Sequence, residues 1–261
     1  MDLTKLFDVS GKVAIVTGGS RGIGEMIAEG LVTNGVRTYI TARKAEACDA
    51  TAARLSEIGE CISIPADMST GEGLEAFVGE FMSREDKLHI LVNNAGAAWG
   101  APMGEFPAMG FDKVLDINVK APYLLTQALL EPLSAAATQD DPGRVIMTGS
   151  IDGIRVPVGD NFSYSASKAG IHMLARHMAK FLIDRNITVN CIAPGPFESK
   201  MMAYMLENEK IRSNIESTNP RGRIGTPEDV AGTVIWLSSR AGAYINGATV
   251  PVDGGIAMLN A

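Results

Sequence analysis

The sequence predicts an α/β fold, a parallel sheet with helices on both faces. Three observations predict it. Short apolar runs alternate with longer amphipathic ones along all 261 residues, and strands buried on both faces read as continuous apolar runs separated by helical periodicity. The first apolar run stops at a glycine cluster, Gly18-Gly-Ser-Arg21-Gly22-Ile-Gly24, and a helical pattern begins at once. No linker or low-complexity stretch breaks the alternation, so residues 1–261 read as one domain.

In chain order, strands are expected at 13–16, 37–40, 62–64, 89–92, 144–147, 188–192 and 248–252. Helices are expected at about 23–34, 44–58, 71–84, 109–135, 164–184 and 227–238. Pro122 and Pro132 fall inside the fifth helical pattern and should kink or shorten it. From Pro194 to Pro227 the rhythm lapses, and an interval that long between elements is often a lid or binding loop. A substrate lid is therefore expected at about 196–226, with Met201, Met202, Tyr204, Met205 and Leu206 suggesting one short mobile helix.

A net charge of −7 argues against nucleic acid or an anionic membrane as partner. No apolar run approaches a membrane span, and the first residues lack a signal-peptide pattern, so a cytoplasmic location is expected. Cys48, Cys61 and Cys191 are scattered and read as reduced core thiols. His172 and His177 lie five apart and share no helical face, and no metal site is read.

The glycine turn carries the first chemistry. Gly18, Gly22 and Gly24 leave no Cβ where the turn is sharp, where a phosphate approaches and where helix meets strand. The helix start offers free N–H groups and a partial positive charge to a pyrophosphate. The spacing is G-x-x-x-G-x-G, which departs from the common G-x-G-x-x-G dinucleotide fingerprint. The second strand ends in Thr41-Ala-Arg43, where such folds read the adenine ribose. An acid there would favour NAD; Arg43 offers a fork for a 2′-phosphate, and Arg21 can close on it from the other side, so NADP(H) is expected. Asp67 can accept from the adenine amino group. Asn93-Asn94-Ala95-Gly96 follows the fourth strand, where small residues admit the cofactor and an asparagine amide ties strands together.

Tyr164 and Lys168, in Tyr164-Ser-Ala-Ser-Lys168, share one face of a helix. A phenol ionises near pH 10, so activating it at neutral pH costs about 4 kcal/mol. An ammonium about 4 Å away supplies about as much at an effective dielectric of about 20. That arrangement makes Tyr164 a usable general acid or base, and Ser150, fourteen residues earlier, can hydrogen-bond a carbonyl or developing alkoxide.

Taken together, Thr17-Gly18-x-x-x-Gly22-x-Gly24, Asn93-Asn-Ala-Gly96, Asn118, Ser150, Tyr164-x-x-x-Lys168, Pro194-Gly195 and the closing Gly247-Ala-Thr-Val-Pro-Val-Asp253-Gly-Gly resemble the short-chain dehydrogenase/reductase family over essentially the whole chain. The resemblance implies a single Rossmann-fold domain, a doubly wound seven-stranded parallel sheet, assembled as a homotetramer. It implies Tyr164 as catalytic acid/base, Ser150 as the substrate-orienting hydroxyl, and Lys168 on the nicotinamide ribose, lowering the tyrosine pKa. Asn118 would hold a water that links Lys168 to solvent. Ser20, Ile23, Met68, Asn94, Ala95 and Gly96 join the expected cofactor contacts. Pro194, Gly195 and Phe197 would pack around the nicotinamide, with Ser199 in place of the usual threonine. Arg21 and Arg43 match the family's NADP(H) markers.

Ser20-Arg-Gly-Ile-Gly-Glu-Met-Ile-Ala-Glu-Gly-Leu31, Ala45-Glu-Ala-Cys48, Ile64-Pro-Ala-Asp67 and Trp99-Gly100 are most similar to bacterial β-ketoacyl reductases, the rhamnolipid-biosynthesis branch in particular. The expected reaction is NADPH-dependent reduction of a 3-oxoacyl thioester. The alternatives are another secondary alcohol or ketone (sugar, steroid or small carbonyl compound) and a non-catalytic cofactor-binding regulator. Trp99, Met103 and Phe106, with the Met-rich lid, suggest an apolar substrate pocket. For an acyl carrier protein partner only half of the usual basic dock is present: Arg185 matches, whereas Asp140 and Asp141 stand where basic residues are expected.

Overall fold

The computed structural model describes residues 1–199 and 208–259. Seven parallel strands form one sheet in the order β3-β2-β1-β4-β5-β6-β7. They are β1 Val13–Thr17, β2 Arg37–Thr41, β3 Cys61–Ser63, β4 Ile90–Asn93, β5 Gly143–Thr148, β6 Ile187–Pro194 and β7 Thr249–Val252. Each expected strand is present within one or two residues of its place. Side chains alternate between two cores along each strand, as the period of two requires. Val13 and Ile15 of β1 face one core with Phe77, Phe81, Leu125 and Ile171; Ala14 and Val16 face the other with Ile27, Leu31, Val230 and Val234.

The helices are α1 Leu3–Leu6, α2 Gly22–Thr33, α3 Ala45–Leu55, α4 Gly71–Met82, α5 Ala108–Leu115, α6 Ala121–Ala128, α7 Leu130–Ala136, α8 Phe162–Leu182, α9 Glu209–Thr218, α10 Pro227–Ser238 and α11 Ile256–Leu259. On one face α10 packs on α2 so closely that a Cβ at Gly30 would lie 2.5 Å from the Ala231 methyl. The short α1, α9 and α11 lie outside the expected helices. α9 fills part of the 194–227 interval, while the Met-rich segment 201–206 lies outside the described residues.

The helix expected over 109–135 is a correction. It is three helices, with a π-helical turn at Asp116–Lys120 between α5 and α6 and a break at Leu129 (φ −102°, ψ 14°) before α7. Pro122 explains the first interruption. An α-ladder would send the N–H of residue 122 to the carbonyl of Asn118, and proline has none, so the ladder slips and Ala121 N–H reaches Asp116 C=O. Pro132 falls in the first turn of α7, where helical N–H groups have no partner in any case.

The chain order reverses between β1 and β4, which run side by side with Val16 opposite Val92. Ligands of doubly wound sheets sit beyond the carboxyl ends of the strands at such a point.

Candidate active site

At the carboxyl end of β1 the chain enters the glycine turn. Gly18 and Gly22 hold positive φ (67° and 55°), a backbone region that L side chains rarely adopt. At Gly24, whose φ is ordinary, a Cβ would overlap the Gly18 carbonyl oxygen, so the helix can pack against the strand only with glycine there. A Cβ at Gly22 would lie 3.1 Å from the Ser199 Cβ, so the chain after β6 folds back over this turn. Arg21, the N-cap of α2, makes no side-chain cap. The first N–H groups of a twelve-residue helix, from Gly22 and Ile23 to Gly24, are left for an outside acceptor, and Ser20 precedes them half-buried. The turn therefore fits a pyrophosphate.

Asn94 ties β4 to β1. Its Nδ2 donates to the carbonyl of Thr17 (2.9 Å), and the Thr17 hydroxyl accepts from the N–H groups of Asn94 and Ala95 (2.9 Å each). Asn93 lies inward and donates to Thr126 Oγ1. A Cβ at Gly96 would stand 3.1 Å from Asn118 Oδ1.

Arg43 is exposed just beyond β2. Neither Arg21 nor Arg43 makes a side-chain hydrogen bond or ion pair among the described residues, a state they share with Arg155, Arg176, Arg221 and Arg240, whereas the other seven arginines each hold a carboxylate. The Thr41 hydroxyl at the end of β2 and the Thr148 hydroxyl at the end of β5 are buried without partners. Asp67 Oδ1 is engaged by its own turn, accepting from Ser69 N–H (3.0 Å) and Ser69 Oγ (2.6 Å), and those bonds help hold its carboxyl below the usual range. Met68 is 5 % exposed, its side chain in the core with Leu74 and Phe77, so only its backbone can meet a cofactor.

Ser150, Tyr164 and Lys168 converge at the carboxyl end of β5. Ser150 caps a 3-10 turn at Ile151–Gly153, its Oγ accepting from Asp152 N–H (3.1 Å). Tyr164 and Lys168 stand one turn apart at the start of α8, and Lys168 Nζ lies 5.4 Å from the tyrosine ring centroid. Lys168 Nζ donates to Thr148 C=O (2.7 Å). Burial raises the Tyr164 phenol to about 12, opposed by a hydrogen bond with Ser150. Burial also lowers Lys168 to about 8. Lys168 is not among the groups that set the phenol here, its ammonium being turned to a backbone carbonyl.

Asn118, in the π-turn, is 3 % exposed. Its side chain clamps Ala97, accepting from its N–H and donating to its C=O (2.9 Å each), and donates to Ser167 Oγ (2.9 Å). Ser167 Oγ in turn donates to Tyr164 C=O (2.7 Å). The tyrosine's helix is therefore locked to the loop after β4.

Beyond β6, Gly195 N–H donates to Val252 C=O, and a Cβ there would press on Asp253. Phe197 is 2 % exposed and its ring packs in the core against Gly225, which leaves its backbone to meet a nicotinamide. Of the residues expected to line an apolar pocket, Trp99 packs on a helix, whereas Met103 and Phe106 line a cavity. Trp99 covers Gly110 with Lys113 Nζ 5.6 Å from its ring centroid. Phe106 stacks edgewise on Phe111 and Phe162 around a cavity of about 380 Å³.

The sequence reading missed Ser167, Thr148 and His172. Only Ser167 was visible locally, one residue before Lys168. Among the described residues no helix is long and apolar enough to cross a membrane, and no group of His, Cys, Asp or Glu is placed to hold a metal ion.

The family model described as enoyl-(acyl carrier protein) reductase matches residues 18–257. The chain is 43 % identical over 249 residues to the rhamnolipids biosynthesis 3-oxoacyl-[acyl-carrier-protein] reductase of Pseudomonas aeruginosa, covering 95 % of this chain and 97 % of that one. It is 33 % identical over 272 residues to the short-chain dehydrogenase/reductase PhomF of Diaporthe leptostromiformis (96 % and 92 %). Among solved structures it superposes on the Pseudomonas aeruginosa RhlG/NADP active-site complex with a TM-score of 0.95 at 42 % identity, covering 97 % of this chain and 99 % of that one.

Proposed function

Because this chain belongs to the short-chain dehydrogenase/reductase family, we propose that it reduces a ketone to a secondary alcohol with NADPH, its substrate a 3-oxoacyl thioester. The observation that carries this reading is the convergence of Ser150, Tyr164 and Lys168 beside a glycine turn flanked by two unpaired arginines. The 3-oxoacyl substrate is supported by the name of the Pseudomonas aeruginosa relative, and NADP(H) by the complex on which the fold superposes.

When bound, the nicotinamide supplies a hydride to the carbonyl carbon. Gly18 to Gly24 and the start of α2 hold the pyrophosphate, and Arg21 and Arg43 hold the 2′-phosphate. Ser150 donates to the carbonyl oxygen and fixes its position. Tyr164 gives that oxygen its proton, and burial keeps the phenol protonated at about 12, the form reduction requires. The Lys168 ammonium lowers the cost of the phenolate left behind. Asn118 holds the loop and α8 in register. With the Pro122 N–H missing, its carbonyl is free of the α-ladder bond and can keep a water on the path that reprotonates the tyrosine.

The protein works in the cytoplasm as a homotetramer, which the exposed apolar side chains Met109, Tyr123, Met173 and Phe181 on α5, α6 and α8 support. An acyl carrier protein is the proposed carrier of the 3-oxoacyl substrate. Arg185, the cation available to it, is paired with Glu131 at 2.8 Å with both side chains exposed. Such surface pairs contribute at most about 1 kcal/mol, so an acidic carrier can displace Glu131.

Tyr164→Phe tests the reaction. Turnover of a 3-oxoacyl thioester should fall about 10²- to 10⁴-fold while NADPH binding, followed by its fluorescence, persists. Near-wild-type turnover by this variant would overturn the reading.

A further inference from the structure

The catalytic helix carries a histidine that nothing in the reaction uses directly. His172 follows Lys168 by one turn of α8 and is 7 % exposed. Its imidazole is wedged beneath the turn that bears Ser150. A Cβ at Gly149 would overlap Nε2, and a Cβ at Gly153 would lie 2.8 Å from Cε1. Neither glycine has a positive φ. They are needed for room: at Gly149 the ring is the nearest neighbour, with Cys191 Sγ at 2.9 Å, and at Gly153 the backbone of Lys168 and Ala169 crowds the site with the ring. Between them, Ser150 N–H donates to His172 Nε2 in a long hydrogen bond of 3.4 Å.

We propose that His172 is a positioning residue for Ser150, acting through the backbone of the 149–153 turn to aim the serine hydroxyl at the site Tyr164 serves. Tyr164, Lys168 and His172 fall at successive turns of one helix face. Lys168 holds Thr148 C=O and His172 holds Ser150 N–H, so α8 carries the phenol and also grips both sides of Gly149. The separation of hydroxyl and phenol is thereby set by one rigid helix. The role needs an unprotonated Nε2 to accept the N–H. Burial and the neighbouring Lys168 and Arg176 charges lower His172 to about 4, so the imidazole is neutral at physiological pH. Ser150 Oγ is itself held by Asp152 N–H, which leaves the turn as the adjustable element.

This inference rests on Ser150 and Tyr164 being the reacting pair, and the experiment separates the two. His172→Leu keeps bulk and removes the acceptor, whereas His172→Gln places Oε1 near Nε2 and retains it. We expect kcat for a 3-oxoacyl thioester to fall 10- to 100-fold in His172→Leu, with the NADPH dissociation constant within twofold of wild type and His172→Gln recovering at least fivefold of the loss. Gly149→Ala should lose activity by collision with the ring, and adding His172→Ala should raise it at least fivefold. A His172→Leu kcat within twofold of wild type overturns the proposal, as do equal losses in the Leu and Gln variants. If His172→Leu does not fold, the Gly149→Ala pair decides, absence of rescue counting against the ring. Ser150→Ala and Tyr164→Phe run in parallel, and undiminished turnover in those two would refute the reacting pair rather than the role of His172.

Discussion

At Arg21 and Arg43 the guanidinium groups are left without a carboxylate to hold. Seven other arginines hold carboxylates and four more are unpaired among the described residues. What sets these two apart is their place, flanking the turn after β1 and the end of β2 without a hydrogen bond or ion pair among the described residues. A charge-assisted hydrogen bond contributes about 1.5–3 kcal/mol, so Arg43→Ala should raise the KM for NADPH about 10- to 100-fold and leave that for NADH within twofold. Steady-state titration with both cofactors measures it, and an equal change in the two would sink the clamp. These residues were legible because their meaning is local, a cation where the second strand ends. The tyrosine was legible in identity and less so in chemistry. Spacing placed Lys168 one turn from Tyr164, yet burial of the phenol and the pull of Thr148 C=O on the ammonium depend on packing that no spacing reveals.

Among the elements, the stretch from Ala108 to Ala136 departs furthest from what periodicity suggests. One apolar pattern became three helices, the first break falling where Pro122 cannot complete the bond to Asn118 and the ladder slips to a π-turn, the second at Leu129. Proline's position said that something would bend, and left open which carbonyl would be freed and toward what. The slip sets Asn118 to clamp Ala97 through two hydrogen bonds and to reach Ser167 with a third. Pro122→Ala restores an N–H and should let the α-ladder close across Asn118. We expect kcat to fall several-fold and the thermal midpoint to hold or rise, since alanine is the better helix former by about 3 kcal/mol in a helix interior. Loss of both activity and stability would mean that Pro122 supports packing rather than the turn. The sharp boundaries of α2 and α4 were readable by contrast: glycines open the first, and Thr70 caps the second through its own side chain.

Across the whole molecule, reaction and cohesion lie at opposite edges of the sheet. All the candidate site residues gather at the carboxyl ends of the strands. At the amino ends, Arg144 opens the buried face of β5 at 1 % exposure and donates to the carbonyls of Leu237 (3.0 Å), Ser239 (2.9 Å) and Pro142. Lys12 reaches Ser238 C=O (2.9 Å), and Asp141 accepts from both cations. The last carbonyls of α10, which a helix end leaves unpaired, are thus closed by charges from before β1 and within β5. Sequence patterning gave no hint of this knot. A lysine and an arginine beside apolar runs read as strand punctuation, and their partners at the end of α10 lie 93 to 226 residues away. Arg144→Leu keeps an apolar bulk in the core and strips three buried carbonyls of their donor. At about 1–3 kcal/mol for each acceptor left unsatisfied, unfolding free energy should drop by at least about 3 kcal/mol in urea titration. The kcat per folded molecule should stay within twofold, because the carboxyl-edge site shares no hydrogen bond with the knot. A variant that lost turnover while keeping its stability would show the two edges to be coupled through β5, which carries Arg144 near one end and leads into Ser150 at the other.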